Sequence, residues 1–373
     1  MPLIISGALS FLLLELRPGS TITYMSKIVN ITIVAVFLMF LGTTSSHADM
    51  NPMTNTPCKK SGDRTHFRFM QYKCQTFQGK MVWRPFENTG EIQASPVLKF
   101  MNAEFVKLSK RLDQAPSFDG YSLEVENSVS KYLWTKDMKQ SLNIGFKLMK
   151  MFGPVPEKPV KVFIFWNDNF VDGKLPAFCK STGGGVSCAG DSMTGQLKWF
   201  SESRNHPNTD PDRYYDETQR FYIFGHFAHE ANHITQHETF RQQGDPNVYE
   251  IAPAWLREGG PEFFKILAYA YQYKTTYSFA RNLYVKNIGS RCDVVSINLL
   301  GDDARETQGC EYNNGMMAAE YLAWQKRDIA APLSFYLNGK RDDGMSISFE
   351  KVYGIPLRLF SSKVDEYISK QTP

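Results

Sequence analysis

The spacing of hydrophobic residues predicts both helices and strands in the first half of the chain. Apolar residues return every three or four positions over 97–112 and roughly 127–151, which is the period of an amphipathic helix. Residues 159–166 form a continuous apolar run rich in β-branched and aromatic side chains, which predicts a buried strand. Residues 183–188 are typical of a loop or an irregular edge, and residues 196–200 predict a further strand.

A longer helix follows a polar linker, and Asp216 can cap its start with Gln219 three residues on. At 100° per residue, its apolar and polar residues fall on opposite faces. The apolar face carries Phe224, Phe227, Ala228, Ala231 and Ile234, and the polar face carries His226, His229, Glu230, His233 and His237. We therefore expect one face to pack on a core and the other to present four imidazoles and a carboxylate.

The C-terminal third is predicted to be mostly helical, with helices around 255–271 and 313–324. Because the predicted strands precede the histidine-bearing helix, we expect an α+β fold in which a strand-containing lobe is followed by a mostly helical lobe, with a cleft between them. The composition, 42% hydrophobic and 21% charged, is that of a globular protein. The net charge of +4 is small and its basic residues are scattered among 38 acids, so we expect no nucleic-acid partner.

The N-terminus has the features of a secretory signal peptide when it is read from Met25. Lys27 supplies a positive charge, residues 28–41 an apolar core, and a Ser-x-Ala ending at Ala48 a cleavage site. The apolar run is short for a membrane span of about 20 residues. A second apolar stretch, 2–16, leaves two interpretations: translation begins at Met25, or the chain keeps an N-terminal anchor. The first predicts a secreted or periplasmic protein with no stable membrane span after cleavage.

All six cysteines follow the predicted cleavage site, and they fall as three local pairs. The pairs are Cys58 and Cys74, Cys179 and Cys188, and Cys292 and Cys310. An even number of cysteines in an exported chain favours disulfides, although nearest-neighbour pairing is one of 15 possible connectivities and buried free thiols are the alternative. A cysteine-based zinc site is not expected, because the chain has no Cys-x-x-Cys.

The strongest chemical signal is His229-Glu230-Ala231-Asn232-His233. Two histidines four residues apart lie one turn apart on a single helix face, so both imidazoles can reach one metal ion. Zinc lowers the pKa of its bound water to about 7, and the adjacent Glu230 can then act as general base. The alternative is a polar helix face with structural histidines.

A second motif follows, because residues 255–264 read Trp-Leu-Arg-Glu-Gly-Gly-Pro-Glu-Phe-Phe. Together with His-Glu-x-x-His, this segment resembles the gluzincin metallopeptidases of the peptidase MA-like superfamily, over roughly residues 160–325. The resemblance implies a thermolysin-like zincin that holds one zinc ion, with Glu258 as the third ligand beside His229 and His233. It also implies a metallopeptidase domain over 96–373. The residues themselves predict a signal peptide over 1–48 and, because 49–95 are polar and broken by Pro and Gly, an N-terminal extension there.

Pro261 departs from the family pattern, which has Ala at this position. Proline donates no backbone hydrogen bond and disfavours a helix interior. We therefore expect the second ligand-bearing helix to begin near Gly260, with Glu258 just before it. Glu262 is the natural carboxylate partner for the outer N–H of a zinc-bound histidine; a solvent-facing charge is the alternative.

The segment Tyr312-Asn313-Asn314-Gly315, followed by Ala and Tyr-Leu, resembles the family segment that supplies an oxyanion donor. The resemblance implies this role for Tyr312 and a packing role for Tyr321. For His226 and His237, contact with the site or with substrate competes with a surface position at the helix ends.

The predicted activity is hydrolysis of peptide bonds in a peptide or protein substrate through a tetrahedral intermediate. A zinc protein without catalysis, located in the cell envelope, is the main alternative. An envelope interaction module with an accidental motif and a zinc hydrolase acting on a non-peptide amide are two further alternatives.

Overall fold

A computed structural model describes residues 56–67, 70–77, 79–85, 95–174, 185–188, 192–196, 217–243, 251–286, 292, 295–300 and 309–370. These residues belong to one compact unit, which spans 53–373. The predicted signal peptide, both interpretations of residues 1–24 and the predicted cap at Asp216 lie outside the described residues.

Part of the predicted N-terminal extension folds into a small antiparallel sheet. Its strands are β1 (Arg64–Phe67), β2 (Met70–Phe77) and β3 (Lys80–Pro85), paired in the order β1-β2-β3. A disulfide between Cys58 and Cys74 ties the chain before β1 to the central strand. Cys74 is fully buried, so the disulfide lies in the interior of this small sheet.

A second sheet of four strands has the order β4-β5-β7-β6. Its strands are β4 (Tyr121–Val125), β5 (Val160–Phe165), β6 (Gly185–Cys188) and β7 (Ser192–Gln196). β4, β5 and β7 run parallel, and β6 pairs antiparallel with β7 at the edge.

Two strand predictions and one prediction of a loop or irregular edge meet different outcomes. The strand predicted at 159–166 is confirmed as β5, whose residues are buried except Lys161. The edge predicted at 183–188 is the edge strand β6. The strand predicted at 196–200 coincides with β7 only at Gln196, and residues 197–200 lie outside the described residues.

Helices make up most of the described chain. They are α1 (Pro96–Gln114), α2 (Leu133–Phe152), α3 (Glu217–Gln243), α4 (Ala254–Gln272), α5 (Tyr277–Lys286), α6 (Cys310–Lys326), α7 (Ala331–Asn338), α8 (Gly344–Tyr353) and α9 (Leu357–Ser369). The mixed α+β class is therefore confirmed at this coarse level. None of the described helices combines the length and apolar character needed to cross a bilayer.

Two helix boundaries differ from the predictions. The helix predicted from residue 127 begins at Leu133, because residues 127–129 form a separate short 3-10 turn. The helix predicted around 255–271 is confirmed as α4, which begins at Ala254, so the start near Gly260 expected from Pro261 is wrong. Pro261 lies inside this helix, and Glu258 projects from its second turn.

The histidine-bearing helix α3 is buried on more than its apolar face. Phe227, Ala228, Ala231 and Ile234 are buried as the pattern predicts. His229, Glu230, His233 and Gln236 on the other face are buried as well. The helix lies between α2 and α4, and its polar face is therefore an internal site.

Candidate metal centre

His229 and His233 of α3 and Glu258 of α4 bring their metal-ligating atoms together, and we call these three residues the metal centre. The two histidine Nε2 atoms lie 3.0 Å apart. Glu258 Oε2 lies 3.6 Å from His229 Nε2 and 3.4 Å from His233 Nε2. Each residue offers one ligand atom to a common point, so the group could hold a metal ion.

The outer ring nitrogens show which tautomers the histidines adopt. His229 Nδ1 lies 2.9 Å from Glu262 Oε1, and a carboxylate can only accept, so Nδ1 carries the proton. His233 Nδ1 lies 2.9 Å from Gln236 Oε1. The Gln236 amide is oriented by its own Nε2, which donates to the carbonyl oxygen of Arg257 at 3.3 Å.

These tautomers leave a lone pair on each Nε2 of the neutral rings. Two such lone pairs and a carboxylate oxygen then face one another within the metal centre. These electron-rich atoms repel one another unless a cation lies between them. A proton or a metal ion can supply that charge. The donor set, two imidazoles and one carboxylate, is one that transition metals bind.

The pKa values of the ligand side chains also indicate that the metal centre favours a bound positive charge. Burial lowers the pKa of His229, but Glu258 and Glu262 beside it outweigh burial and raise this pKa to about 10. Burial raises the pKa of Glu258, yet His233 and His229 hold it well below its usual range. In the absence of metal, a proton is therefore retained among these side chains at neutral pH.

Glu262 is buried against the metal centre rather than facing solvent. Its Oε1 also lies 3.3 Å from Lys265 Nζ, and both side chains are almost fully buried. Lys265 lies across Gly225 of α3, where a Cβ atom would come within 2.1 Å of its Cγ. The pKa of Glu262 is raised by burial but lowered more strongly by Lys265 and His229, to about 2.

The aim of Glu258 depends on a close contact between α4 and α6. A Cβ atom on Gly259 would lie 2.0 Å from the carbonyl carbon of Gly315, and one on Gly315 would lie 2.3 Å from the carbonyl oxygen of Trp255. Because neither helix has a side chain here, the two backbones touch. Tyr312 lies one turn before this crossing and is thereby placed beside Glu258.

Tyr312 reaches the metal centre from α6. Its ring lies 6.0 Å from the His229 ring, centroid to centroid, and close to parallel with it. Burial, followed by the charge of Glu258 and hydrogen bonding to that carboxylate, raises the pKa of Tyr312 well above its usual range. Tyr312 therefore keeps its proton and can donate it in a hydrogen bond.

The start of α6 is held in two ways. The disulfide Cys292–Cys310 joins the first residue of the helix to the preceding segment. Asn314 Nδ2 donates to the carbonyl oxygens of Cys292 and Val295 at 2.9 and 2.8 Å. The predicted pairing of these cysteines and of Cys58 with Cys74 is confirmed; Cys179 of the third pair lies outside the described residues.

Glu230 is buried on α3, and His226 Nε2 lies 3.7 Å from its Oε1. His226 and His237 are both partly buried, and burial lowers each pKa to about 4, so both are neutral at pH 7. His226 is thus a neighbour of Glu230 rather than a free surface residue. Tyr321 packs against the rings of Trp324, Phe360 and Tyr367, as expected of a packing residue.

Two residues at the site are absent from the sequence predictions. Gln236 follows His233 by three positions, and Lys265 follows Glu262 by three, so each lies on the same helix face as its partner. This spacing was a usable signal. No protein-family model, no curated protein and no solved structure matches the chain.

Proposed function

We propose that this chain is a zinc-dependent peptidase with a thermolysin-like zincin fold of the peptidase MA-like type. The observation that carries the proposal is the spacing of the three donor atoms, which are 3.0, 3.4 and 3.6 Å from one another. Tetrahedral zinc with bonds of 2.0–2.1 Å separates neighbouring ligand atoms by about 3.3–3.4 Å. His229, His233 and Glu258 fit that geometry with a fourth position left for substrate.

When bound, zinc lowers the pKa of a water to about 7 and polarises a substrate carbonyl. The chain supplies the rest. Glu230 follows a ligand directly and, as a carboxylate that is not among the three ligands, can accept a proton. Tyr312 keeps its hydroxyl proton beside Glu258 and can donate a hydrogen bond to the oxyanion of a tetrahedral intermediate.

The outer shell supports the same assignment. Histidines that bind zinc usually give their other N–H to a carboxylate or a carbonyl, which fixes the tautomer. His229 has Glu262 in this position and His233 has Gln236. The disulfides Cys58–Cys74 and Cys292–Cys310 favour an oxidising compartment, in agreement with a secreted or periplasmic peptidase acting on peptides or proteins.

A zinc protein without catalysis is the second candidate. It would need the three ligands and their outer partners but neither Glu230 nor Tyr312. The burial of Glu230 beside His226, and the placement of Tyr312 over the metal centre, favour the peptidase.

The decisive experiment compares Glu230→Gln with Glu238→Gln. Glu238 is a buried carboxylate two turns further along α3 that pairs with Arg241 instead of the site. The wild type and both variants should bind about one zinc ion per chain. On a peptide library, Glu230→Gln should lose roughly a hundredfold or more of the activity, the scale of a positioned base. Tyr312→Phe should lose less, because one donor is removed.

A wild-type chain that retains no zinc after dialysis, and regains none on addition, contradicts the proposal. So does a Glu230→Gln variant as active as wild type. Zinc binding without cleavage of any library peptide favours the non-catalytic candidate.

A further inference from the structure

Pro261 lies in the interior of α4, where its missing N–H matters. In an α-helix the N–H of residue 261 would donate to the carbonyl oxygen of residue 257. Proline has no N–H, and its ring also crowds that carbonyl. Yet α4 runs from Ala254 to Gln272 without interruption, and Glu258 projects from the turn that Pro261 weakens.

Gln236 reaches this turn from the neighbouring helix. Its Nε2 donates to the Arg257 carbonyl oxygen at 3.3 Å, which is the acceptor that Pro261 cannot serve. Its Oε1 accepts from His233 Nδ1 at 2.9 Å. The side chain is fully buried, so both bonds form away from bulk water.

We infer that Gln236 is a positioning residue for the metal centre, coupling the aim of His233 on α3 to that of Glu258 on α4 through the carbonyl that Pro261 leaves without its helical donor. One amide thereby sets the tautomer of one ligand and anchors the residue that immediately precedes another. An ordinary helix residue at position 261 would make the second bond unnecessary, because its own N–H would serve the Arg257 carbonyl. The inference rests on the metal centre of the proposed function but not on catalysis.

The first test measures zinc affinity by competition with a chromophoric chelator. Gln236→Leu removes both bonds and should weaken zinc binding by about 10–100-fold, the range for loss of an outer partner of a ligand. Gln236→Glu keeps an acceptor oxygen for His233 Nδ1 but loses the donor to the Arg257 carbonyl, so its zinc affinity should lie between those of wild type and Gln236→Leu. A wild-type affinity in either variant, or an equal loss in both, overturns the inference.

The second test uses the melting temperature of the metal-free chain in two backgrounds. Gln236→Leu removes the donor to the Arg257 carbonyl and should lower the Tm. In a Pro261→Ala background, residue 261 supplies that donor, so the further loss caused by Gln236→Leu should be at most about half as large. Equal losses in the two backgrounds would show that Gln236 and Pro261 are not coupled.

Gln272→Leu is the matched control. Gln272 also lies on α4 and also joins a second helix, through a bond of 2.6 Å from its Nε2 to Gln140 Oε1. Its replacement should leave zinc affinity unchanged, and its effect on Tm should be the same with Pro261 or Ala at 261. If Gln236→Leu does not fold, Gln236→Glu takes its place in the two-background comparison, because it also lacks the donor.

The outcomes separate this inference from the proposed function. Neither measurement uses a substrate, so a chain that binds zinc and cleaves nothing leaves the inference intact. A wild-type chain that binds no zinc refutes the proposed function and the ligand-positioning role together. A zinc-binding wild type whose Gln236→Leu variant is unchanged refutes the inference alone.

Discussion

Two clusters of charged side chains are buried among the helices of the described chain, and they are built differently. In the first, the closed ion pair, Arg281 of α5 lies 3.4 Å from Glu320 of α6, and the Tyr367 hydroxyl of α9 donates to the same carboxylate at 2.6 Å. In the second, the metal centre, His229, His233 and Glu258 direct lone pairs at one another. Both clusters are largely buried, although Glu258 is partly exposed, so burial alone does not distinguish them.

The balance of positive and negative charge distinguishes the closed ion pair from the metal centre. In the closed ion pair, one guanidinium faces one carboxylate. Burial lowers the pKa of Arg281, but Glu320 outweighs burial and raises this pKa above its usual range. In the metal centre and its surroundings, three carboxylates, those of Glu230, Glu258 and Glu262, gather around two imidazoles, and Lys265 contacts Glu262. A buried cluster that neutralises itself contributes structure, whereas one whose donor atoms face a common point needs a cation.

Removing a donor atom should separate the two clusters most strongly. His233→Ala deletes one of three ligands. Zinc affinity should therefore fall by more than it does on loss of a residue that only hydrogen-bonds a ligand, for which about 10–100-fold is expected. Glu320→Gln in the closed ion pair shares no partner with the ligands and should change zinc affinity by no more than about twofold. Chelator competition measures both. Similar losses in the two variants would mean that the clusters do not differ as described.

Breaking the closed ion pair should affect stability without metal. Arg281→Met leaves Glu320 without its buried counter-charge and should cost about 3–5 kcal/mol of unfolding free energy. The double variant Arg281→Met/Glu320→Leu removes both charges and should recover most of that loss. Denaturant unfolding of the metal-free chain measures each value. A double variant less stable than the single would contradict a self-neutralising pair.

The smallest expected effect is the response of the metal-free chain to pH. The folded-state pKa of His229 is about 10, above its ordinary value of 6.5, so its contribution to stability is fully present below pH 6.5 and is lost as pH rises through about 10. The Tm should fall by about 5 °C or more over this window, and zinc affinity should rise as the competing proton leaves.

His229→Gln is the control for the pH experiment, because it removes the titrating imidazole. Its metal-free Tm should decline less between pH 6.5 and 10 than that of wild type. The closed ion pair should not contribute over this range, since the pKa of Arg281 lies above it. Equal declines in wild type and His229→Gln would assign the pH effect to other groups.

Several features of the fold followed from local pattern. The buried strand β5 and the helix α1 matched their hydrophobic periods because these depend on near neighbours in sequence. The start of α2 did not match its prediction. Residues 127–129 form a 3-10 turn, and the spacing of apolar residues does not distinguish such a turn from the start of an α-helix. The hydrophobic period over 255–271 placed α4 correctly, but the start near Gly260 expected from Pro261 was wrong. The donor that replaces the missing N–H of Pro261 comes from Gln236, which is 25 positions away in sequence.

The sequence by itself determined that His229, Glu230 and His233 share one helix, because four residues make about one turn in any α-helix. Resemblance to a family, and not spacing, pointed to Glu258 and Tyr312, whereas Glu262 was expected because a zinc-bound histidine usually gives its outer N–H to a carboxylate. Tertiary structure decided the rest. Only the packing of helices buries the polar face of α3, lets Gly259 and Gly315 touch so that Tyr312 reaches Glu258, and aligns Gln236 with Arg257. Contacts between segments distant in sequence depend on shape and close packing, which no local period encodes.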